Sequence, residues 1–204
     1  MTKSHEIIFG TGNQAKIQQL QSALDGLNIK VTSIKEIGAE LPEVEEDGTT
    51  VVENARKKAV AYASAIDRTV FSMDNALYFN GVDDQDQPGL LVRRINGIDA
   101  ANDDEMVYRY TEFLKDHGGT MKGWWEYGLS IAWPDGTSVE EVIKSPRQFV
   151  DRPSQTVIPG YPLESIQIDP ETGRYISEMT DKQRVKFWQD TIGKALKDFV
   201  NSNL

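Results

Sequence analysis

A strand, a glycine-containing turn, a helix and a second strand follow one another in the first 34 residues, and this order restricts the fold more than any other feature of the chain. Residues 6–9 form a short apolar segment that ends at Gly10, which predicts a buried strand. From Asn13 onward, apolar residues recur at helical spacing until Gly26, a residue type that commonly ends helices. Residues 29–34 then alternate as a second strand does. A right-handed βαβ unit is therefore predicted.

The rest of the chain predicts a mixed α/β protein with an antiparallel section in its second half. One predicted helix begins at Thr50, a second covers Asp103–Asp116, and the final helix runs without a break from about Thr180 to Phe199. The predicted strands cover residues 70–73, 76–79, 124–133 and 139–144. Thr50 with Glu53, and Thr180 with Gln183, have the spacing of capping boxes. The last two strands flank a Pro-Asp-Gly turn, which predicts a long hairpin. Because no stretch resembles a linker, we expect residues 1–204 to form a single domain, an expectation that leaves room for two lobes.

The composition argues against several classes of function. The chain has 32 acidic and 22 basic residues and a net charge of −10, which opposes binding to duplex nucleic acid or to an anionic membrane. Cysteine is absent, which excludes disulfides, thiolate zinc sites and a cysteine nucleophile. The longest apolar run, residues 59–63, is far too short to span a membrane, and the N-terminus lacks a signal-peptide core. We therefore expect a cytoplasmic protein without nucleic-acid or membrane partners.

Three segments contain residue types that suit phosphate chemistry. The first is Thr11-Gly12-Asn13, followed by Lys16, between the first strand and the first helix. Gly12 allows close approach of the backbone, and the N–H groups at a helix start attract anions. Lys16 lies one turn into the helix, from where it can reach a phosphate. An ordinary helix cap followed by a surface lysine explains the same residues, so both interpretations stay open at this point.

The second segment is acidic, with seven acids and no base between positions 36 and 53. Proteins commonly bind Mg²⁺ through one or two carboxylates together with substrate phosphates, and Glu46 is a suitable ligand just before a helix. Asn54 and Lys58 are four residues apart and share a face of that helix. The alternative is a solvated acidic loop and a helix with a Glu53–Lys57 surface pair.

The third segment contains Asp74, between the predicted strands 70–73 and 76–79. A carboxylate at the end of an apolar strand is costly to bury without a partner, and ligands of α/β proteins gather beyond strand ends. Asp74 is thus a candidate to hold a metal or to position and deprotonate a water. The alternative is that Asp74 is only a turn-former between two strands.

Taken together, these positions resemble the inosine triphosphate pyrophosphatase family, whose members hydrolyse non-standard purine nucleoside triphosphates. The family motif T-G-N-x-x-K is matched at positions 11–16. A second motif, E-E-x-G followed by a threonine and E-N-A-x-x-K-A, is matched at positions 45–59. Pro88, Gly89 and Arg94 match a further segment, and the resemblance covers nearly the whole chain.

The departures from the family pattern fall mainly on base recognition. The A-D-D-S-G strand of the family appears here as Ser-Met-Asp-Asn-Ala, in which Asp74 is kept and Met73 replaces the other aspartate. The F-G-Y-D motif appears as Pro-Gly-Tyr-Pro at positions 159–162, and neither residue of a purine-contacting His-Arg pair is present near positions 190–192. Loss of hydrogen-bonding groups that read a base changes base choice more than it changes phosphate chemistry.

The resemblance implies an α/β fold with a mixed central sheet flanked by helices, a long antiparallel hairpin and two lobes around a cleft. It implies a Mg²⁺-dependent enzyme that cleaves a nucleoside triphosphate to the monophosphate and pyrophosphate, with altered base recognition, and that forms a homodimer. The implied site residues are Asp74, Lys16 and Lys58 for catalysis, Glu46 and Asp74 for the metal, and Thr11, Gly12, Asn13, Lys16, Asn75, Gly160, Tyr161 and Lys186 for the substrate. Tyr161, Trp124 or Trp125 would stack on the base.

Two other functions are compatible with the same residues. Met73 in place of an acid favours a catalytically impaired nucleotide-binding or interaction protein on the same scaffold, because losing a carboxylate near a metal weakens metal binding. An enzyme that acts on another activated phosphate ester is the third hypothesis. A nucleotide panel widened to sugar and coenzyme diphosphates separates the three.

Overall fold

Strands and helices alternate from β1 (His5–Phe9) to β3 (Val70–Phe79), as the βαβ pattern predicts. The computed structural model describes residues 5–95 and 97–204. The elements are β1 (His5–Phe9), α1 (Gln14–Ala23), β2 (Ile29–Ser33), α2 (Val51–Ile66), β3 (Val70–Phe79), β4 (Arg94–Ile95), β5 (Ile98–Asp99), α3 (Asp103–Asp116), β6 (Thr120–Ala132), β7 (Ser138–Val150), β8 (Gln167–Ile168), α4 (Asp181–Trp188) and α5 (Lys194–Asn203).

Six of the described strands form one sheet in the order β2-β1-β3-β6-β7-β8, and β4 pairs with β5 in a separate ribbon. β1 is parallel to both of its neighbours, with Phe9 opposite Ser33 of β2 and opposite Phe71 of β3. β7 and β8 are antiparallel. The sheet is therefore mixed, which confirms the predicted α/β class and the predicted βαβ unit.

Packing divides the chain into two compact units. The first unit contains the chain up to Asn75, together with Tyr127–Ile143 and Val185–Leu204, and the second contains Ala76–Glu126 and Lys144–Arg184. The three long strands β3, β6 and β7 contribute to both units. A single domain over residues 1–204 stays a prediction.

Small side chains on α2 form part of the core of the first unit. Ala55, Ala59 and Ala63 are fully buried and lie four residues apart, so one face of the helix carries only methyl groups. Ala59 and Ala63 belong to the same apolar cluster as Ile8 of β1 and Val70 of β3. The small side chains let α2 approach the sheet closely, and this places the polar residues of the helix near the ends of the strands.

Aromatic packing dominates the core of the second unit. The Phe79 ring lies 4.9 Å from the Phe149 ring and 5.3 Å from the Phe113 ring, measured between centroids. Tyr110 is also fully buried and donates a hydrogen bond from its hydroxyl to the Val92 carbonyl at 2.8 Å. Aromatic pairs at these distances stabilise a core beyond the area that they bury.

Two sequence-based expectations about continuity are wrong. The strand segments 70–73 and 76–79 are one strand, because β3 runs without a break through Asp74 and Asn75, so Asp74 is not a turn residue. The final helix is interrupted by a π-helical turn, Gln189–Gly193, between α4 and α5. The long hairpin is confirmed and extends further than expected, with 13 residues in each strand. Within the described residues, no helix has both the length and the apolar content that a membrane span requires.

Candidate active site

The carboxyl ends of three parallel strands bring the predicted site segments together. β1 lies between β2 and β3, and all three run in the same direction. The turn after β1 contains Thr11, Gly12 and Asn13, and Asp74 lies three residues beyond the pairing of Phe71 with β1. The Gly10 N–H donates to the Phe71 carbonyl at 2.8 Å and ties this turn to β3. In α/β proteins, this edge of the sheet is where ligands bind.

Asn13 caps α1 and shapes the turn. Its Oδ1 accepts hydrogen bonds from the N–H groups of Ala15, at 2.9 Å, and Lys16, at 3.4 Å. Thr11 Oγ1 accepts from the Asn13 N–H at 3.2 Å. The capped helix start predicted from the sequence is thus present, and Lys16 lies in the first turn of the helix. Phosphate binding by these three residues stays a prediction.

The acidic loop is fixed to the start of α2 by reciprocal hydrogen bonds. Thr50 Oγ1 accepts a hydrogen bond from the Glu53 N–H, as the predicted capping box requires. The Glu53 carboxylate accepts from the N–H and the hydroxyl of Thr49, and not from Thr50 as predicted. Asn54 Oδ1 accepts from the Gly48 N–H at 2.8 Å. A Cβ atom on Gly48 would lie 2.5 Å from Asn54 Oδ1, so only glycine fits here.

Lys58 links the two carboxylates that were predicted as metal ligands. Its Nζ lies 2.9 Å from Glu46 Oε2 and 3.6 Å from Asp74 Oδ1. The side chains of Lys58 and Asp74 are only 11% and 15% exposed, whereas that of Glu46 is 47% exposed. The second Asp74 oxygen, Oδ2, accepts a hydrogen bond from Asn54 Nδ2 at 3.1 Å. These four polar residues are therefore held by one another beside β3.

Lys16 adds a second ammonium to this group. Burial and the neighbouring Lys58 ammonium lower the pKa of Lys16, while Asp74 and Glu46 act in the opposite direction. Two cations and two anions thus interact around the same point, although their charges sum to zero. The ammonium groups could pair with a polyanionic ligand in place of the carboxylates, and the carboxylates could pair with a metal cation in place of the ammonium groups.

The carboxylates of Glu46 and Asp74 fit the requirements of Mg²⁺. Both carboxylates approach the same Lys58 Nζ, so their oxygens converge on a shared point. Mg²⁺ is usually held in enzymes by one or two carboxylates, with phosphate oxygens and waters completing the octahedron. In the part of the chain that the structure describes, no third acidic or histidine side chain joins this pair, so substrate oxygens and waters would have to supply the remaining ligands.

Asn75 and Met73 lie on the other side of β3 from Asp74, because successive side chains of a strand face opposite sides. Met73 is 3% exposed and is therefore accommodated as a core residue. Asn75 Oδ1 is buried and has no hydrogen-bond partner within the described residues. Asn75 as a substrate-binding residue stays a prediction, and the alternation of the strand separates it from the Lys58 group.

The remaining predicted site residues belong to other segments. Gly160 has a φ of 84°, a left-handed conformation that suits glycine, and Tyr161 precedes a short 3₁₀ turn, Pro162–Ile166, in the second unit. Lys186 is exposed on α4 and pairs with Asp190 at 2.6 Å. Trp124 stacks on Tyr78 with ring centroids 5.3 Å apart, and Trp125 Nε1 donates to Gln167. Contact of these residues with a nucleotide stays a prediction.

Three residues of this edge were absent from the predicted site. Asn54 shares a helix face with Lys58 in the sequence, but its two contacts, to Asp74 and Gly48, required the fold. Ser33 and Lys35 follow β2, and Ser33 Oγ donates to the Thr11 carbonyl at 2.8 Å. The parallel pairing of β1 with β2 could have identified Ser33 and Lys35, because residues that follow neighbouring parallel strands meet at one edge of the sheet.

The order of these segments along the chain matches a known protein family. The model of the Ham1 family matches residues 7–186, which include the turn Thr11–Asn13, the acidic loop and Asp74. The chain belongs to the Ham1 family. Membership confirms the resemblance that the motifs at positions 11–16 and 45–59 indicate.

Individual Ham1 relatives are moderately similar. The chain is 30% identical over 139 residues to the dITP/XTP pyrophosphatase of Rhodopirellula baltica, a match that covers 67% of this chain and 64% of the relative. It is 33% identical over 105 residues to the dITP/XTP pyrophosphatase of Listeria monocytogenes, with 50% of each chain covered. The chain thus matches between half and two-thirds of the length of these two relatives.

A solved Ham1 structure has the same fold. The structure of the Staphylococcus aureus Ham1 protein superimposes with a TM-score of 0.72 at 21% identity, over 98% of this chain and 100% of the other. The HAM1 protein of Coxiella burnetii gives the same TM-score at 19% identity. The predicted fold class, with its mixed sheet and long hairpin, is therefore confirmed as that of the Ham1 proteins.

Proposed function

We propose that this chain is a Mg²⁺-dependent nucleoside triphosphate pyrophosphatase that releases a nucleoside monophosphate and pyrophosphate. The observation that carries the proposal is the position of Lys58 between the carboxylates of Glu46 and Asp74, at the edge of the sheet where Lys16 and the Thr11–Asn13 turn also lie. The names of the matched relatives, dITP/XTP pyrophosphatases, support non-standard nucleoside triphosphates as the substrate class.

In the proposed reaction, a water oxygen attacks the α-phosphorus and the bond from that phosphorus to the bridging oxygen breaks. Asp74 orients the water and accepts its proton, and Asn54 holds the carboxylate in place through Oδ2. Lys58 and Lys16 neutralise the charge that grows on the phosphate oxygens, a contribution that is often the largest in such reactions. Mg²⁺ held by Glu46 and Asp74 would supply further positive charge to the phosphates.

Most departures from the family pattern fall on the residues that read the base in the family. Pro162 stands where the family motif has an aspartate, and positions 190–192 contain neither histidine nor arginine. We therefore propose altered base recognition, with Gly160, Tyr161 and Lys186 as the candidates that remain. A homodimer in the cytoplasm, with neither nucleic acid nor a membrane as partner, completes the proposal.

A pyrophosphate-release assay tests the proposal directly. The panel contains dITP, XTP and the standard nucleoside triphosphates, each with and without Mg²⁺. Turnover of at least one nucleotide, lost in Asp74→Asn, supports the proposed activity. Turnover that survives Asp74→Asn means that Asp74 has been assigned wrongly.

A catalytically impaired nucleotide-binding protein is the second candidate, and Met73 favours it. This residue is buried where the family strand has an acid, so the chain lacks the carboxylate that the family has next to Asp74 in the sequence. Nucleotide binding without turnover of any member of the panel would support this candidate over the enzyme. Turnover of sugar or coenzyme diphosphates instead would support an enzyme for another phosphate ester.

A further inference from the structure

Lys35 lies against the turn Thr11–Asn13, here called the phosphate turn, and none of the described residues is an acidic partner for it. A Cβ atom placed on Gly12 would lie 2.5 Å from Lys35 Nζ, well inside the distance at which non-bonded atoms meet. The ammonium therefore lies directly beside the Gly12 backbone. Across residues 5–95 and 97–204, no carboxylate lies within ion-pair distance of Lys35. Lys35 is exposed, so its charge is accessible to a ligand.

The backbone position of Lys35 is fixed by hydrogen bonds that join the end of β2 to the turn after β1. Ser33 Oγ donates to the Thr11 carbonyl at 2.8 Å and accepts from the Lys35 N–H at 3.3 Å. Glu36 Oε1 accepts from the Ser33 N–H at 3.3 Å and completes the cap of the 3₁₀ helix Ile34–Ile37. A single hydroxyl thus links the backbone that carries Lys35 to the backbone of the phosphate turn.

Lys35 and Asp74 lie on opposite sides of this turn. The sheet order is β2-β1-β3, so the turn after β1 has the end of β2 on one side and β3 on the other. Neighbouring strands are about 4.8 Å apart, which puts the end of β2 about 10 Å from β3. Lys58 and Lys16 interact with Asp74 on the β3 side, whereas Lys35 supplies positive charge on the β2 side.

We propose that Lys35 binds the outer phosphates of a triphosphate ligand, the part that leaves as pyrophosphate. A ligand whose α-phosphate lies beside Asp74 extends over Gly12, and Lys35 is the next cation that it meets. Gly12 is then needed for two reasons, because its backbone approaches the phosphates and because a side chain there would displace Lys35. The inference rests on the proposed function for the identity of the ligand and adds a residue that binds the leaving group.

The test compares Lys35→Met with Lys30→Met. Lys30 is an exposed lysine on β2, so the control makes the same change of charge five residues earlier in the chain. We expect Lys35→Met to raise the Kd for inorganic pyrophosphate, measured by titration calorimetry with Mg²⁺, by about tenfold, because a charge-assisted hydrogen bond to phosphate is lost. KM for the nucleoside triphosphate should rise by a similar factor while kcat changes by less than about threefold. Lys30→Met should change neither value.

The outcomes distinguish this inference from the proposed function. Turnover by the wild type together with an unchanged pyrophosphate Kd in Lys35→Met overturns the role of Lys35 and leaves the enzyme proposal standing. A Lys35-dependent Kd in a wild-type protein that turns over no nucleotide supports the phosphate contact and rejects the activity. A wild type that binds neither pyrophosphate nor a nucleoside triphosphate overturns both. A wild-type Kd for pyrophosphate in Lys35→Arg shows that the charge of Lys35, and not its aliphatic stem, is responsible for the binding.

Discussion

Asn54 Nδ2 donates a hydrogen bond to Asp74 Oδ2 at 3.1 Å, while the other end of the same amide accepts from the Gly48 N–H at 2.8 Å. One side chain therefore holds the proposed catalytic carboxylate and also fixes the loop that carries Glu46. Asn54 is 3% exposed, so water does not readily replace either contact.

Replacing Asn54 with alanine should lower both stability and activity. The Gly48 N–H and the Asp74 carboxylate each lose a partner, and an unsatisfied buried group costs about 1–3 kcal/mol. We expect the free energy of unfolding in urea to fall by about that amount and turnover to fall by at least tenfold. Asn80→Ala, at an exposed asparagine with no side-chain hydrogen bond among the described residues, is the matched control. Full activity in Asn54→Ala would show that Asp74 needs no support from the amide.

Two adjacent lysines of α2 should differ strongly in their contribution to activity. Lys58 contacts Glu46 and Asp74 and is 11% exposed, whereas Lys57 pairs with Asp47 and is 40% exposed. We expect Lys58→Met to reduce turnover by about 100-fold or more, because a positioned cation near reacting phosphates is lost. Turnover of Lys57→Met should stay within about twofold of the wild-type value, since exposed ion pairs contribute little to stability. Equal losses in the two variants, measured by pyrophosphate release, would contradict the assignment.

Glu46 should determine how much Mg²⁺ the protein needs. Its carboxylate faces the same Lys58 Nζ as Asp74, and a glutamine keeps the shape while removing the charge. We expect Glu46→Gln to raise the Mg²⁺ concentration for half-maximal activity by about tenfold or more. Glu43→Gln, on the same exposed loop, should leave the Mg²⁺ requirement unchanged. A shift of equal size in both variants would mean that loop charge, and not a ligand, is responsible.

Glu164 should make the second unit less stable as the pH rises. Burial raises the pKa of this carboxyl from 4.5 to about 7, and Arg184 and Arg147 oppose the effect. Between these two values the folded protein keeps a proton that the unfolded chain has released, so stability falls as the pH rises and levels off above pH 7. The free energy of unfolding should fall by about 2–3 kcal/mol from pH 5 to pH 8, because each unit of pKa change corresponds to about 1.36 kcal/mol.

Urea unfolding of Glu164→Gln at pH 5 and pH 8 tests this expectation. The glutamine cannot ionise, so the free energy of unfolding should differ much less between pH 5 and pH 8 in this variant than in the wild type. Glu171→Gln, an exposed glutamate of the same unit, should behave as the wild type does. An unchanged difference in Glu164→Gln would place the titrating group elsewhere.

Much of the fold follows from patterns within short segments. The helix Asp103–Asp116 has the predicted bounds, and Asn13 and Thr180 cap helices as expected. The break at Asp74 was predicted wrongly because two adjacent polar residues usually end a strand. Here Asp74 finds partners in Asn54 and Lys58, which remove the cost of keeping a carboxylate in a strand.

The site residues that lie within sequence motifs could be predicted, and the others could not. Lys16, Glu46, Lys58 and Asp74 were identified from their segments, and the fold brings these four together. Lys35 and Ser33 belong to no motif, because their contacts depend on the pairing of β1 with β2 across about 20 intervening residues. Such contacts are set by register, which a single sequence does not specify.

The π-helical turn Gln189–Gly193 affects the side of the last helix on which its buried side chains lie. Trp188, Ile192, Leu196 and Val200 are all buried and follow one another at intervals of four residues. In a regular α-helix, each such interval advances by about 400°, so the four side chains would drift by about 120° around the axis. A wider turn absorbs part of this drift and keeps the row on one side. Removing one residue from the turn and restoring regular winding would leave seven residues from Trp188 to Leu196 and eleven to Val200, which is about 700° and about 1100°. Both side chains would then stay within about 20° of Trp188, so the turn accommodates one extra residue without rotating α5 out of the core.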